Sequence, residues 1–450
     1  MLKVVETFSG IGSQAKALKN IGIDFEIVCT ADWDINAMIA YDLIHHGPQD
    51  LTKYKNMTKQ ELVESLDKYT LSLNGKKPAT KKNVKDLNEE VLRRVLCAIN
   101  RCKNLVSITD IKAKDLPNRV DLLTYSFPCQ DLSVAGNWHG NKSGIDRNAH
   151  NRSGMLWEVE RILKERIADK MQLPRFLLME NVSNILSDRH KDNFKEWTDY
   201  LEQIGYFNQI YTLDASKFGI PQKRVRTYMI SVLVGNDDVK RRRVKNYFKN
   251  HNLQEEDVIG CLDIKQRKLK DLLRLNYNNN IYRAEADKCQ PNDTPSRRDI
   301  YEFNLKIYHN KKVIAKTVPT VTTKQDRHPN SGVIDYDNGK EGKSKFRYLT
   351  PRECFLLMGF DENDYDNIVN NNFKNRNRDF FNIEKLNRMA GNSIVVNVLE
   401  EIFKQVNYIN ELVFEEKDEM QLSSKSSIDI IKSKLAGLFN AQNEAYQVIK

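Results

Sequence analysis

Apolar and polar positions fall into short alternating blocks from the first residues onward. An apolar run through Val4 and Val5 ends at Phe8, where Gly10 and Gly12 break it. Residues 15–18 open a helical stretch that closes near Gly22, and residues 25–29 form a second apolar run that ends at Asp32. Strand, glycine turn, helix, strand is a βαβ unit, the opening of a doubly wound sheet. Further strands are predicted at 120–126, cut sharply by Phe127-Pro128, at 176–179, ending in Glu180-Asn181, and at 228–234. Residues 47–104 are charged and polar with helical stretches such as 89–97, and read as an insertion without chemistry of its own.

The character changes after Val234. Residues 240–249 are strongly basic, 276–280 are almost all Asn, and 291–298 are loop-like, with no βα alternation from about 235 to 320. This predicts a separate irregular domain set into the sheet domain. Regularity returns near Arg347: residues 351–358 read as a short helix with Pro351 at its start, where a missing N–H costs nothing. Val398, Ile402, Val406, Ile409 and Val413 recur at helical spacing within 394–414. Ser426 and Ser427 could cap a last helix with Ile428, Ile431, Leu435 and Leu438 on one face. The expected division is 1–232 with an insertion at 47–104, an inserted domain at 233–380, a return to the sheet domain at 381–414, and a helical tail at 415–450. No internal repeat is visible.

Composition narrows the class. With 71 Lys and Arg against 61 Asp and Glu, the chain of 450 residues carries a formal charge of +10, which favours a polyanionic partner without identifying it. The seven cysteines are odd in number and form no CxxC, which argues against a disulfide framework or a zinc site and fits a reducing compartment. No stretch approaches the roughly 18 apolar residues of a membrane span. The first ten residues turn polar at Glu6, so a secretory leader is not expected, and a cytoplasmic location is.

Candidate chemistry sits at the strand ends. In Phe8-Ser9-Gly10-Ile11-Gly12-Ser13 the glycines let backbone approach a ligand, and Asp32, at the end of the next strand, can accept ribose hydroxyls. The spacing is not GxGxxG, so an adenosine-containing ligand without a pyrophosphate suits it better than a dinucleotide. Free cysteines are usually buried and inert. Cys129, however, follows Pro128 at a sharp strand-end turn, with a polar segment containing glycines behind it. That position favours a nucleophile beside a closing loop. Glu180, in Glu180-Asn181-Val182, could act as an acid or a hydrogen-bonding clamp, or could belong to a helix cap. Arg224 and Arg226, in Gln222-Lys223-Arg224-Val225-Arg226, alternate on an extended segment and so share a side; they could hold a base oxygen and a phosphate, or form a solvated basic strand. Gly391-Asn392-Ser393 reads as the opening of a helix, where free N–H groups could meet a ligand or a routine cap.

The order of these motifs, followed by Arg347-Tyr348-Leu349-Thr350-Pro351-Arg352-Glu353-Cys354 and ending at Gly391-Asn392-Ser393, resembles the motif series of the DNA (cytosine-5) methyltransferases of bacterial or phage restriction–modification type. The resemblance runs from residue 3 to about 405, outside 47–104, 235–320 and the tail. It implies an enzyme of α/β class, with a Rossmann-like S-adenosylmethionine-dependent sheet domain and a smaller, irregular target-recognition domain. It implies Cys129 as the nucleophile toward cytosine C6, Glu180 at N3, Arg226 at O2 and Arg224 in support, acting on a base flipped from duplex DNA. For the cofactor it implies Phe8, Gly10, Gly12, Asp32, Trp33, Asp110, Ile111, Pro128, Leu156, Asn392 and Ser393. For DNA it implies Gln130, Ser133 and Arg152 on the loop, and Thr320 in Pro319-Thr320-Val321. No metal is implied, and the chain is expected to act as a monomer, with a restriction endonuclease as a functional partner. Ser13 stands where many members have glycine. An RNA cytosine methyltransferase, a silent DNA-binding protein and a nicotinamide oxidoreductase are the competing readings; the long inserted region, the intact Cys129, Glu180, Arg224 and Arg226, and the Pro-Cys-Gln turn weigh against them respectively.

Overall fold

The computed structural model describes residues 1–128, 132, 145–147 and 153–414. Residues 1–404 form one compact unit, and the described part of the second, 405–414, continues the helix Val396–Val413. The chain opens as the apolar pattern dictates: β1 (Leu2–Thr7), α1 (Ser13–Asn20), β2 (Phe25–Ala31) and α2 (Ile35–His46). There follow β3 (Leu122–Tyr125), β4 (Phe176–Val182), β5 (Tyr206–Asp214), β6 (Gln222–Lys223) and β7 (Val225–Leu233). Six of these strands make the main sheet, in the order β2-β1-β3-β4-β7-β5. β1 to β4 run parallel, and β7 lies antiparallel between β4 and β5. The parallel strands are near-continuous apolar runs because both of their faces are covered.

Side-chain alternation sends Val5, Leu123, Tyr125, Leu177 and Met179 to one face. There they form a core with Leu156, Val159 and Leu163 of the helix Leu156–Ala168, and with Phe194 and Trp197 of the helix Lys191–Gln203. Trp197 Nε1 donates to the Tyr125 hydroxyl at 3.1 Å. On the opposite face the buried Glu6 of β1 accepts the Ala15 N–H at the start of α1 (2.8 Å) and the Tyr41 hydroxyl of α2 (2.6 Å). Helices therefore cover both faces, which is the doubly wound arrangement expected from the sequence.

Three elements differ from the apolar pattern. β5 carries Asn208, Gln209 and Thr212 and is only half-buried, so as an edge strand it lacks the apolar run that marks its neighbours. β7 starts at Val225, three residues earlier than its apolar stretch suggests. The basic run at 240–249 is an amphipathic helix, Asp238–Asn250, capped by Asp237, whose carboxylate accepts the N–H of Val239 and Lys240 at 2.9 Å. Its buried Phe248 stacks on Phe207 of β5 with centroids 6.1 Å apart. Beyond it the chain is less irregular than expected: short helices Glu256–Gly260, Asn280–Lys288 and Pro295–Glu302 precede a small sheet of Lys306–His309, Lys312–Val313, Val333–Asp335 and Phe346–Arg347. Within the asparagine run, Asn279 caps the helix Asn280–Lys288.

The segment after the small sheet is held by a buried ion pair. Arg347 and Glu353 have no solvent exposure and meet through two 2.8 Å hydrogen bonds. Glu353 also accepts the N–H of Arg274 and Thr350, and Thr350 caps the helix Pro351–Leu357 in a reciprocal box. Burial works against the Glu353 charge, but Arg347 and these backbone donors hold its carboxyl below the usual glutamate range. Among the described residues no helix is long and apolar enough to cross a membrane.

Glu353→Ala leaves the Arg347 guanidinium buried and unpaired. It is expected to cost about 3–5 kcal/mol, read as a lower urea midpoint at neutral pH. Because the Glu353 pKa is depressed on folding, its contribution is present above the unfolded value near 4.5 and is lost as pH falls through the folded one. The gap between wild type and variant should therefore narrow on acidification; equal midpoints at neutral pH contradict the assignment.

Candidate active site

A cavity lies at the carboxyl ends of β1 to β4, where open α/β sheets place ligands. Its lining includes Phe8–Ile11, Asp32, Trp33, Asp34, residues 106–109, Ser126 to Pro128, Glu180 to Val182, Arg224, Arg226, and residues around Asn392 and Ser393. The turn after β1 passes through left-handed backbone at Phe8 (φ 55°), Gly10 (55°) and Gly12 (80°). The two glycines serve different ends. A Cβ on Gly10 would meet nothing within 4 Å, so its bare backbone leaves an open cradle on the cavity wall. A Cβ on Gly12 would lie 2.0 Å from His45 Nε2. Gly12 therefore does not line the cavity; its bareness lets the turn pack on α2. His45 Nε2 lies 3.1 Å from the Ile11 carbonyl, and burial pushes the His45 pKa down to about 3, so the neutral ring donates here.

Asp32 ties the ends of β1 and β2 together. Its carboxylate accepts the N–H of Gly10 and of Asp34, each at 2.8 Å. Burial, and then the neighbouring Asp34, push its pKa up to about 6. The Asn104 side chain brackets the Asp32 backbone, accepting from its N–H and donating to its carbonyl at 3.2 Å, and so leads residues 106–109 along the wall. Asp110 and Ile111, expected on the same wall, do not reach it. Asp110 is exposed to solvent, and Ile111 is buried in the core beneath the sheet. Leu156 is likewise fully buried in that core and does not line the cavity.

At the other end stands Glu180, the carboxyl-terminal part of β4. The antiparallel register pairs Glu180 with Tyr228 and Val182 with Arg226, which brings Arg226 diagonally across from Glu180, with Nε 3.5 Å from Oε1. Burial raises the Glu180 pKa, against the opposing pull of Arg226 and Arg224. Arg224 is buried and donates to three carbonyls: Val321 (3.0 Å), Gly391 (3.1 Å) and Ser393 (2.7 Å). Gly391-Asn392-Ser393 closes the helix Ile383–Asn392 rather than opening one. What it offers is therefore terminal carbonyls, which a guanidinium satisfies. A Cβ on Gly391 would lie 2.4 Å from the Thr323 nitrogen, so this close approach requires glycine. Ser13 Oγ and Ser393 Oγ share a hydrogen bond of 2.6 Å, so the serine at 13 joins the two segments.

Between the two ends, Asn181 Nδ2 donates to the Phe127 carbonyl (3.1 Å) and Ser153 Oγ to the Pro128 carbonyl (2.8 Å). They fix the turn that leads into Cys129. Cys129, Gln130, Ser133 and Arg152 lie outside the described residues. Thr320 donates to the Lys223 carbonyl (2.9 Å) and does not line the cavity. Sequence reasoning missed Gly75, Ser107, Ser126 and Arg388 on the lining. Arg388 was within reach of it, one helical turn before Gly391. Gly75 carried no signal, since it lies in the polar insertion. Asp42, His46 and Cys102 lie close enough to share a cation. Asp42, however, is already taken by Gln49 (2.7 Å) and Arg101 (3.2 Å), and none of the three lines the cavity.

The family described as C-5 cytosine-specific DNA methylase matches residues 57–408. The orphan methyltransferase M.SssI of Spiroplasma monobiae is 34% identical over 415 residues, covering 90% of this chain and 97% of that one. The type II methyltransferase M2.ScrFI of Lactococcus lactis subsp. cremoris is 32% identical over 411 residues, covering 90% and 99%. Among solved structures, the S. pombe Dnmt2 methyltransferase superposes with a TM-score of 0.54 at 17% identity, covering 92% of this chain and all of that one; this likeness concerns the fold.

The two glycines give a test. Gly10→Ala meets only left-handed strain, about 1–2 kcal/mol, whereas Gly12→Ala also strikes the buried His45. Urea unfolding should show Gly12→Ala as clearly the less stable; equal losses contradict their assigned roles.

Proposed function

The chain belongs to the C-5 cytosine-specific DNA methylase family, and we propose that it transfers a methyl group from S-adenosylmethionine to C5 of a cytosine flipped out of double-stranded DNA. The observation that carries this reading is the single cavity in which Gly10, Asp32 and Trp33 stand at one end and Glu180, Arg224 and Arg226 at the other, with Pro128 between them. The residues fit the cofactor: the open cradle at Gly10 admits a ligand against bare backbone, and the Asp32 carboxylate suits ribose hydroxyls. Phe8, Trp33, Asn392 and Ser393 would flank it. When bound, S-adenosylmethionine supplies an electrophilic methyl group.

The rest is the work of this chain's side chains on the base. A base inside a duplex is out of reach, so the cytosine must leave the stack. Arg226 holds its O2, and Glu180, whose pKa burial raises, hydrogen-bonds N3. The Cys129 thiolate adds to C6, which places electron density on C5 for attack on the methyl group. Loss of the C5 proton and departure of Cys129 then release the methylated base. Arg224, taken up by three carbonyls, is a positioning residue. No step requires a metal. Residues 233–380 supply target recognition, with Thr320 and the loop residues Gln130, Ser133 and Arg152 toward DNA. The chain works as a cytoplasmic monomer and protects DNA from a restriction endonuclease.

Cys129→Ser is expected to abolish transfer of radiolabelled methyl groups to duplex DNA while leaving DNA affinity within a few-fold. Transfer to RNA in place of DNA, or activity retained in the variant, would overturn the reading. A second expectation concerns pH. Ribose hydroxyls donate to the ionised Asp32 carboxylate, whose pKa is near 6 in the free protein. Calorimetric affinity for S-adenosylhomocysteine should therefore be full above that pH and weaken as pH falls through it. Asp32→Asn should bind weakly and lose this dependence; a wild-type affinity that is flat across the range contradicts the role.

A further inference from the structure

The insertion between α2 and β3 does more than decorate the sheet. Past the end of β2 the backbone at Trp33 to Ile35 has left the main sheet. A fully buried residue of the insertion, Ser72, takes the place of a neighbouring strand: its N–H donates to the Trp33 carbonyl (2.7 Å) and its carbonyl accepts the Ile35 N–H (3.0 Å). Unpaired, those two groups would be left without backbone partners at the cavity's edge. Asn36 Nδ2 adds a bond to the Leu73 carbonyl (3.0 Å). The Ser72 hydroxyl closes the loop on itself, donating to the Lys77 carbonyl (2.7 Å) and accepting the Gly75 N–H (3.0 Å).

Gly75 then comes against Asp34. It holds φ +65°, and a Cβ there would lie 2.9 Å from Asp34 Oδ2. That same oxygen accepts Arg388 Nη2 at 3.0 Å. Asp34, Gly75 and Arg388, from three distant parts of the chain, meet on the cavity lining beside Trp33.

We propose that the segment 72–75 of the insertion is part of the cofactor-binding site: it fixes Trp33 and Asp34 at the nucleoside end of the cavity, and the Asp34–Arg388 ion pair across it latches that end closed. This rests on the reading of the cavity as the S-adenosylmethionine pocket. Arg388 and Gly75 act as positioning residues: they hold the wall against which the nucleoside lies. Segment 72–75 thereby contributes to cofactor affinity.

The test uses the full chain, with S-adenosylhomocysteine as the calorimetric probe. Arg388→Met keeps the aliphatic stem and removes the charge, and Gly75→Ala crowds Asp34. Each is expected to weaken S-adenosylhomocysteine by about tenfold, while DNA affinity without cofactor stays near wild type; the urea midpoint stays near wild type in Arg388→Met and falls in Gly75→Ala only by the strain of alanine in left-handed backbone. Arg388→Lys should recover most of the loss. Lys81→Ala, at an exposed pair with Asp67 elsewhere on the insertion, should bind as wild type. The proposal is overturned if both folded variants bind S-adenosylhomocysteine within twofold of wild type. It is overturned equally if cofactor affinity, DNA affinity and midpoint fall together in Arg388→Met, because that marks a general structural role. If the wild-type chain binds no S-adenosylhomocysteine while remaining folded, the reading of the cavity falls, and this proposal with it.

Discussion

The Arg224 guanidinium holds the cavity together. It reaches carbonyls 97 and 169 residues away, at Val321 and Ser393, from a position just before β7. The helix Ile383–Asn392 needs a positive group at its carboxyl end, and the strand-like stretch through Val321 has left its pairing with β6 at Val318 and Pro319. Two residues earlier, Gln222 extends the same junction, donating to the Leu357 carbonyl (2.7 Å) and accepting the Val321 N–H (2.8 Å). Gly391 lets the helix end approach Thr322 and Thr323 closely enough for Arg224 to serve both. Residues 1–404 are thereby tied together at the point where ligands would bind.

Two carboxyl groups in that cavity have pKa values raised by burial, and they differ in what opposes the shift. Asp32 is restrained by backbone N–H donors, which favour its ionised form. Glu180 is restrained by two arginines at longer range, without a short hydrogen bond to either. The first arrangement suits a fixed acceptor. The second leaves a carboxyl that can give or share a proton with a neutral base nitrogen. Separation of roles by environment is a common device where two acids share one site.

Strands buried on both faces were legible because the sheet demands unbroken apolar runs, and β1, β3 and β4 supply them. β5 was not, because an edge strand tolerates Asn208 and Gln209. The glycine turn was legible, but not the division between its glycines: that depends on His45, which sits on the next helix and carries no pattern of its own. Asp110 and Ile111 were placed by resemblance, and the turn from Ser107 through Thr109 takes them away from the cavity. Gly391-Asn392-Ser393 was recognised as a helix boundary but assigned to the wrong end, since a glycine followed by a polar pair marks a start and a stop alike. The contribution of Gly75 depends on a tertiary bridge to Trp33, and polar composition around it conceals such a bridge.

Methyl transfer to cytosine in DNA by this chain alone can be read directly in a living cell. The most direct measurement is to express it in a bacterial host free of DNA methylation and to sequence the host genome by a method that reads 5-methylcytosine. The expected result is 5-methylcytosine within one short, recurring sequence, present only when the chain is expressed. An unmodified genome in cells that hold the soluble, folded protein would contradict it.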